Sequence, residues 1–121
     1  LSPNFVNTFS NRIINIHHSL LPAFPGANPY QQAFDRGVKM IGATSHYVTA
    51  DLDQGPIIEQ EAIHIDPNDT ARDYMEKGRS VESLVLIRAV RWHLENRITI
   101  DGNKCVVLAN RLKQPEIAIG K

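Results

Sequence analysis

Apolar and polar positions alternate along this chain with two periods, and the switches between them mark its elements. Ser2-Pro3 reads as an N-cap followed by proline at a first helical position, so a short helix is expected over 3–10. Residues 12–17 place Ile13, Ile14 and Ile16 almost in sequence, the pattern of a parallel strand buried on both faces. Residues 18–28 carry Pro22, Pro25 and Gly26 and read as a loop. Asn28-Pro29 is placed to cap a helix reaching about Arg36, with Gly37 as its stop. Residues 38–49 are β-rich, 50–56 form a polar loop, and 57–65 read as a third strand.

Beyond Asp69, Met75, Val81, Leu84, Val85, Ile87 and Leu94 recur at helical spacing, which predicts one long helix over 70–96. Asp101-Gly102-Asn103 between β-branched runs predicts a closing hairpin over 98–108. Strand, helix, strand in succession argues an α/β layer, with the helix as a right-handed crossover between parallel strands. So few strands make a thin sheet for that class. With Leu1 rather than Met in first place, this leads to the expectation that part of the sheet lies ahead of the sequence.

Composition narrows the function. Lys+Arg and Asp+Glu are 13 each, which removes the electrostatic footprint of a nucleic-acid or anionic-membrane binder. One cysteine, Cys105, rules out an internal disulfide and fits a reducing, cytoplasmic setting. No apolar run approaches the ~20 residues that span a bilayer.

Chemistry-bearing residues gather in two places. Asn15 and His17 lie on one face of the first strand, Cα atoms roughly 6.5 Å apart, at the end where open α/β sheets place ligands. His18 points away from His17, and no Cys or spaced His completes a zinc set with His17, His18 or His46. The second place is the loop carrying Asp51 and Asp53 before Gly55-Pro56. Its glycine falls outside EF-hand spacing and strands flank it, so a calcium loop is rejected. A crossover between the two places would bring both loops to the same end of the sheet.

An amide, an imidazole and a carboxylate meeting there suit acyl chemistry: Asn15 donating to an oxyanion, His17 stabilising it or moving a proton, and Asp53 orienting the imidazole or taking a proton. No serine or cysteine occupies a nucleophile elbow, so attack by water or an amine is expected. His46 reads as a hydrogen-bonded histidine of the core or one supporting a ligand from behind, His64 and His93 as surface or packing residues. Trp92 and Tyr74 read as core or interface, and the charges at Glu76, Lys77, Arg88 and Arg91 as a solvated helix face.

The stretches NIHHSLLPAFPG and HYVTADLDQGPII resemble the two motifs of the folate-dependent formyltransferases, in the family's order and across essentially the whole chain. The resemblance implies a Rossmann-like formyltransferase fold of which this chain is the carboxyl-terminal part. The amino-terminal half of the sheet and a small ACT-type regulatory domain would precede it. It carries catalytic roles onto Asn15, His17 and Asp53, a folate-contacting loop onto Thr49, Ala50, Asp51 and Leu52, and the lining of a pterin pocket onto Leu1 and Val6. His18 stands where the transferases commonly carry proline. NIHHS followed by GANPYQQAFDRGVKMIGATSHYVT resembles the branch that hydrolyses 10-formyltetrahydrofolate to formate and tetrahydrofolate. That branch supplies formate for purine synthesis, and His18 becomes the candidate for selecting the acceptor.

The resemblance further implies a folate substrate, no metal or organic cofactor, and a homo-oligomer in the full-length protein. Two alternatives stand beside it: transfer of the formyl group to an amine such as glycinamide ribonucleotide, and a folate-binding fragment without catalysis.

Overall fold

The structure, a computed structural model, describes residues 13–17, 27–50 and 55–110. Its elements in chain order are β1 (Ile14–His17), α1 (Pro29–Arg36), β2 (Met40–Tyr47), β3 (Ile57–His64), α2 (Ala71–Leu94), β4 (Ile98–Asp101) and β5 (Lys104–Val107). The expected strands, long helix and terminal hairpin are all present. The helix expected over 3–10 lies outside the described residues.

The strand directions differ from expectation. β1, β2 and β3 form a sheet in the order β1-β2-β3, and both ladders are antiparallel. No parallel pair and no crossover occurs among the described residues. β2 starts near the end where β1 stopped and runs back alongside it, with Thr44 opposite His17 and Tyr47 opposite Ile14. The isoleucine run that suggested a parallel strand reports burial, and burial carries no information on direction.

Local signals explain the helix ends. Gly37 closes α1 at φ 65°, in the left-handed region that favours glycine. Asn28 does not cap with its side chain; it is itself left-handed (φ 57°), and its carbonyl accepts the first helical bond from the Gln32 N–H at 3.1 Å. α2 opens on a capping box: the Asp73 N–H donates to Thr70 Oγ1 (3.2 Å) and the Thr70 N–H to Asp73 Oδ2 (2.9 Å). Gly102 at φ 63° turns the β4–β5 hairpin.

α2 covers one face of the sheet. Ala43 packs with Val81 and Val85, Ile41 with Ala33 and Tyr74, and Tyr47 with Ile58 and Ala89. The β4–β5 hairpin adds Ile98, Ile100 and Cys105 around Tyr47, and Trp92 joins the same cluster. The helical periodicity marked the helix but not its inner face: Val81 and Val85 are buried, while Ile87 and Leu94 are exposed. Nor are the helix charges wholly solvated, since Arg88 Nη1 donates to Glu59 Oε2 (3.1 Å) and Glu61 Oε2 (2.7 Å) on β3, and Lys77 pairs with Asp69. No helix among the described residues is long and apolar enough to cross a membrane.

α1 meets α2 at Gly78, where a Cβ would overlap the ring of Tyr30, itself held by a hydrogen bond to Glu82. Alanine at an ordinary helix site gains up to ~1 kcal/mol over glycine, but overpacking costs ~1–3 kcal/mol. Gly78→Ala is therefore expected to destabilise the protein by about 1–2 kcal/mol in denaturant titrations. In a Tyr30→Ala background the same change should stabilise it, and a stabilising effect with Tyr30 intact would refute this helix contact.

Candidate functional site

The site begins with face alternation across the β1–β2 ladder. Asn15 sits opposite His46 and His17 opposite Thr44. Residues directly opposite in an antiparallel pair share a face, so these four lie together on the face away from α2. Gln60 extends the row onto β3, opposite Thr44, and its Nε2 donates to Thr44 Oγ1 at 3.0 Å. Ile14 and Ile16 fall on the other face with the α2 clusters. The expected pairing of Asn15 with His17 on one strand face is present.

What brings a second polar group alongside them is β2, not a common sheet end. In an antiparallel pair the loops that follow β1 and β2 leave from opposite ends of the ladder. The idea that both loops converge at one sheet end is thus corrected. The two places meet side by side, through Asn15 against His46.

His46 is only 4 % exposed. Its Nδ1 lies 2.8 Å from the Tyr47 carbonyl. A carbonyl accepts and does not donate, so Nδ1 carries a proton, and in the neutral ring Nε2 is the acceptor. Nε2 is buried and has no partner among the described residues. The ring stacks on that of His17, centroids 4.9 Å apart and planes at 15°. Parallel rings direct their nitrogens in parallel planes, not at one point. Among the described residues no group of three His, Cys, Asp or Glu gathers as a metal site.

The sequence placed His46 correctly as a hydrogen-bonded core histidine but did not tie it to His17. Nor did it single out Thr44 or Gln60. Their faces follow from alternation only once the ladder register is known, and register is a long-range property.

Thr49 and Ala50 follow β2 directly, and the Val48 N–H donates to the Ile13 carbonyl at 2.8 Å, which ties the start of that loop to the start of β1. Leu1, Val6, His18, Asp51, Leu52 and Asp53 lie outside the described residues. On the far side of that loop, Gly55 lies against the Tyr47 carbonyl so closely that a Cβ would overlap it, and the same Cβ would lie 2.9 Å from Thr49 Cγ2. Only glycine fits there.

Cys105 sits in β5, on the helix side of the sheet beside Tyr47. Burial pushes its thiol up to about 11. It is a neutral thiol at neutral pH, away from the polar face, and so no nucleophile for this site.

A buried histidine stacked on a second one, beside an amide on the same sheet face, offers hydrogen-bonding groups that can meet charge on a carbonyl oxygen. The chain belongs to the formyl transferase family, whose model matches residues 1–90. Within that family it is 60% identical over 107 residues to formyltetrahydrofolate deformylase of Bacillus subtilis, an alignment covering 88% of this chain and 36% of that protein. The crystal structure of formyltetrahydrofolate deformylase from Burkholderia mallei superposes with a TM-score of 0.83 at 50% identity, over 89% of this chain and 39% of that one. A glycinamide ribonucleotide transformylase from Symbiobacterium toebii aligns at TM-score 0.71 and 43% identity, over 85% and 49%. The chain thus spans little more than a third of the deformylase relatives, and the fold it shares with them is the formyltransferase α/β fold.

Alkylation of Cys105 tests the helix-side environment. The raised pKa holds the reactive thiolate back, so the rate with iodoacetamide should rise through about pH 11 in the native protein. In urea the rise should return to the ordinary thiol range, about 8.5. A native midpoint near that ordinary value would show that the thiol is not shielded.

Proposed function

We propose that the full-length protein hydrolyses 10-formyltetrahydrofolate to formate and tetrahydrofolate. The observation that carries this reading is the shared face of Asn15 and His17 against the stacked, buried His46. Three deformylase structures stand at 50% identity to this chain and five glycinamide ribonucleotide transformylases at 34–43%, which favours water over an amine as acceptor.

In this scheme water attacks the formyl carbon. The carbonyl oxygen gains charge, and the Asn15 amide donates to it. His17 shares in stabilising that oxyanion, and His46 holds the His17 ring in plane by stacking. Asp53 positions or deprotonates the water and supports His17. The C–N10 bond then breaks, N10 takes a proton, and formate leaves. No metal or organic cofactor enters, and the folate is the substrate. Thr49, Ala50, Asp51 and Leu52 contact the folate, Leu1 and Val6 line the pterin pocket, and His18 helps decide that water rather than an amine is admitted. The resemblance also leads us to place the protein in the cytoplasm as a homo-oligomer, with a regulatory domain ahead of residue 1.

Removing a donor to an oxyanion typically costs 10²–10³ in turnover. Asn15→Ala and His17→Ala in the full-length protein are expected to lower kcat for formate release by about that factor, with substrate affinity nearly unchanged. Turnover near wild type in either variant refutes its role. Formate should appear without any added amine; strict dependence on glycinamide ribonucleotide would identify a transferase, and folate binding with no turnover in any mixture would leave a binding module.

A further inference from the structure

Tyr47 lies at the centre of the molecule, and the scheme above gives it no part. Its ring points to the helix side of the sheet and is 2 % exposed. There its hydroxyl meets His93 Nδ1, on the last turn of α2, at 2.7 Å, with the two rings edge to face. Its peptide groups work on the strand itself. The Tyr47 N–H donates to the Pro56 carbonyl at 3.0 Å, and the Tyr47 carbonyl takes the Nδ1 proton of His46. Gly55 presses on that same carbonyl. A single residue therefore joins α2, the strand pairing on the far side of the loop, and the tautomer of the buried histidine on the polar face.

We propose that Tyr47 and His93 are positioning residues for the candidate site. Their hydrogen bond anchors the end of β2 to α2, which holds the Tyr47 carbonyl where it fixes His46 in its Nδ1–H form and in the plane on which His17 stacks. Two observations make this more than a core contact. The Tyr47 carbonyl is held by close contact on one side and used by His46 on the other, so a rotation of that peptide alters the histidine directly. And His46 Nε2, buried without a partner among the described residues, is an acceptor only while Nδ1 keeps its proton and the ring is neutral. The hydroxyl of Tyr47 remains protonated over the working range, since burial and the neighbouring Cys105 push it up to about 12.

The kinetic arm of the test rests on the hydrolase reading; the spectroscopic arm does not. In the full-length protein Tyr47→Phe removes the hydroxyl and keeps the ring, and His93→Leu removes its hydrogen-bond partner. Misplacement of this kind costs up to ~10²-fold, so both variants are expected to lower kcat about tenfold or more, with KM for 10-formyltetrahydrofolate within about twofold. His93→Asn, whose amide can accept or donate in place of Nδ1, should recover most of the loss. Histidine-selective ¹⁵N spectra should show His46 as the Nδ1–H tautomer in the parent and in His93→Asn, and a tautomer mixture in Tyr47→Phe and His93→Leu. Unchanged kcat with an unchanged His46 tautomer, even alongside a lower Tm, overturns the proposal and reduces the pair to a core hydrogen bond. If the parent releases no formate, the hydrolase reading fails, and the tautomer shift still decides the positioning role.

Discussion

Residues 41–47 of β2 are all buried, so each side chain of that strand must find a partner of its own kind. Alternation sends Ile41, Ala43, Ser45 and Tyr47 toward α2, where burial of apolar surface is the driving force and Ser45 Oγ donates to the Glu59 carbonyl at 3.4 Å. It sends Thr44 and His46 the other way, where burial is tolerable only with hydrogen bonds. Thr44 receives one from Gln60, and His46 makes one to its own neighbour's carbonyl. A strand buried on both faces with unlike chemistries cannot slip by one residue. The slip would put His46 among Val85 and Ala89 and Tyr47 among polar groups.

That constraint is what places a polar face on a stable sheet. The helix side supplies the packing, through Val81, Val85 and Ala89, and the polar side is left free to hold Asn15 and His17 at a fixed spacing. His46 Nε2, buried and without a hydrogen-bond partner among the described residues, costs stability if nothing else meets it. Such an atom beside two groups suited to oxyanion chemistry is where a substrate, water or acid proton would recover that cost. Tyr47 crosses between the sides: its ring belongs to the core and its carbonyl to the site.

Direction and register separated what local signals could reveal from what they could not. The left-handed stop at Gly37, the glycine of the closing hairpin and the span of α2 are local events, governed by φ and by side chains three or four residues apart, and they were legible. The antiparallel return of β2 was not. A run of isoleucines has the same pattern in either direction, and the direction shows only in the pairing of β1 with β2. Arg88, taken as a solvated charge, is tied to Glu59 and Glu61 because β3 lies under α2. His93 has no sequence neighbour that hints at Tyr47, 46 residues away.

By itself the sequence determined the elements, the face shared by Asn15 and His17 and the membership of a formyl transferase family. These rest on short-range alternation and on motifs whose residues lie close in the chain. The tertiary structure alone decided that the strands run antiparallel, that His46 stacks on His17, and that Tyr47 is fastened to His93. Each of those depends on which residues face one another across a ladder or a helix–sheet contact. That pairing is set by summed packing over the whole core, and no single stretch of sequence contains it.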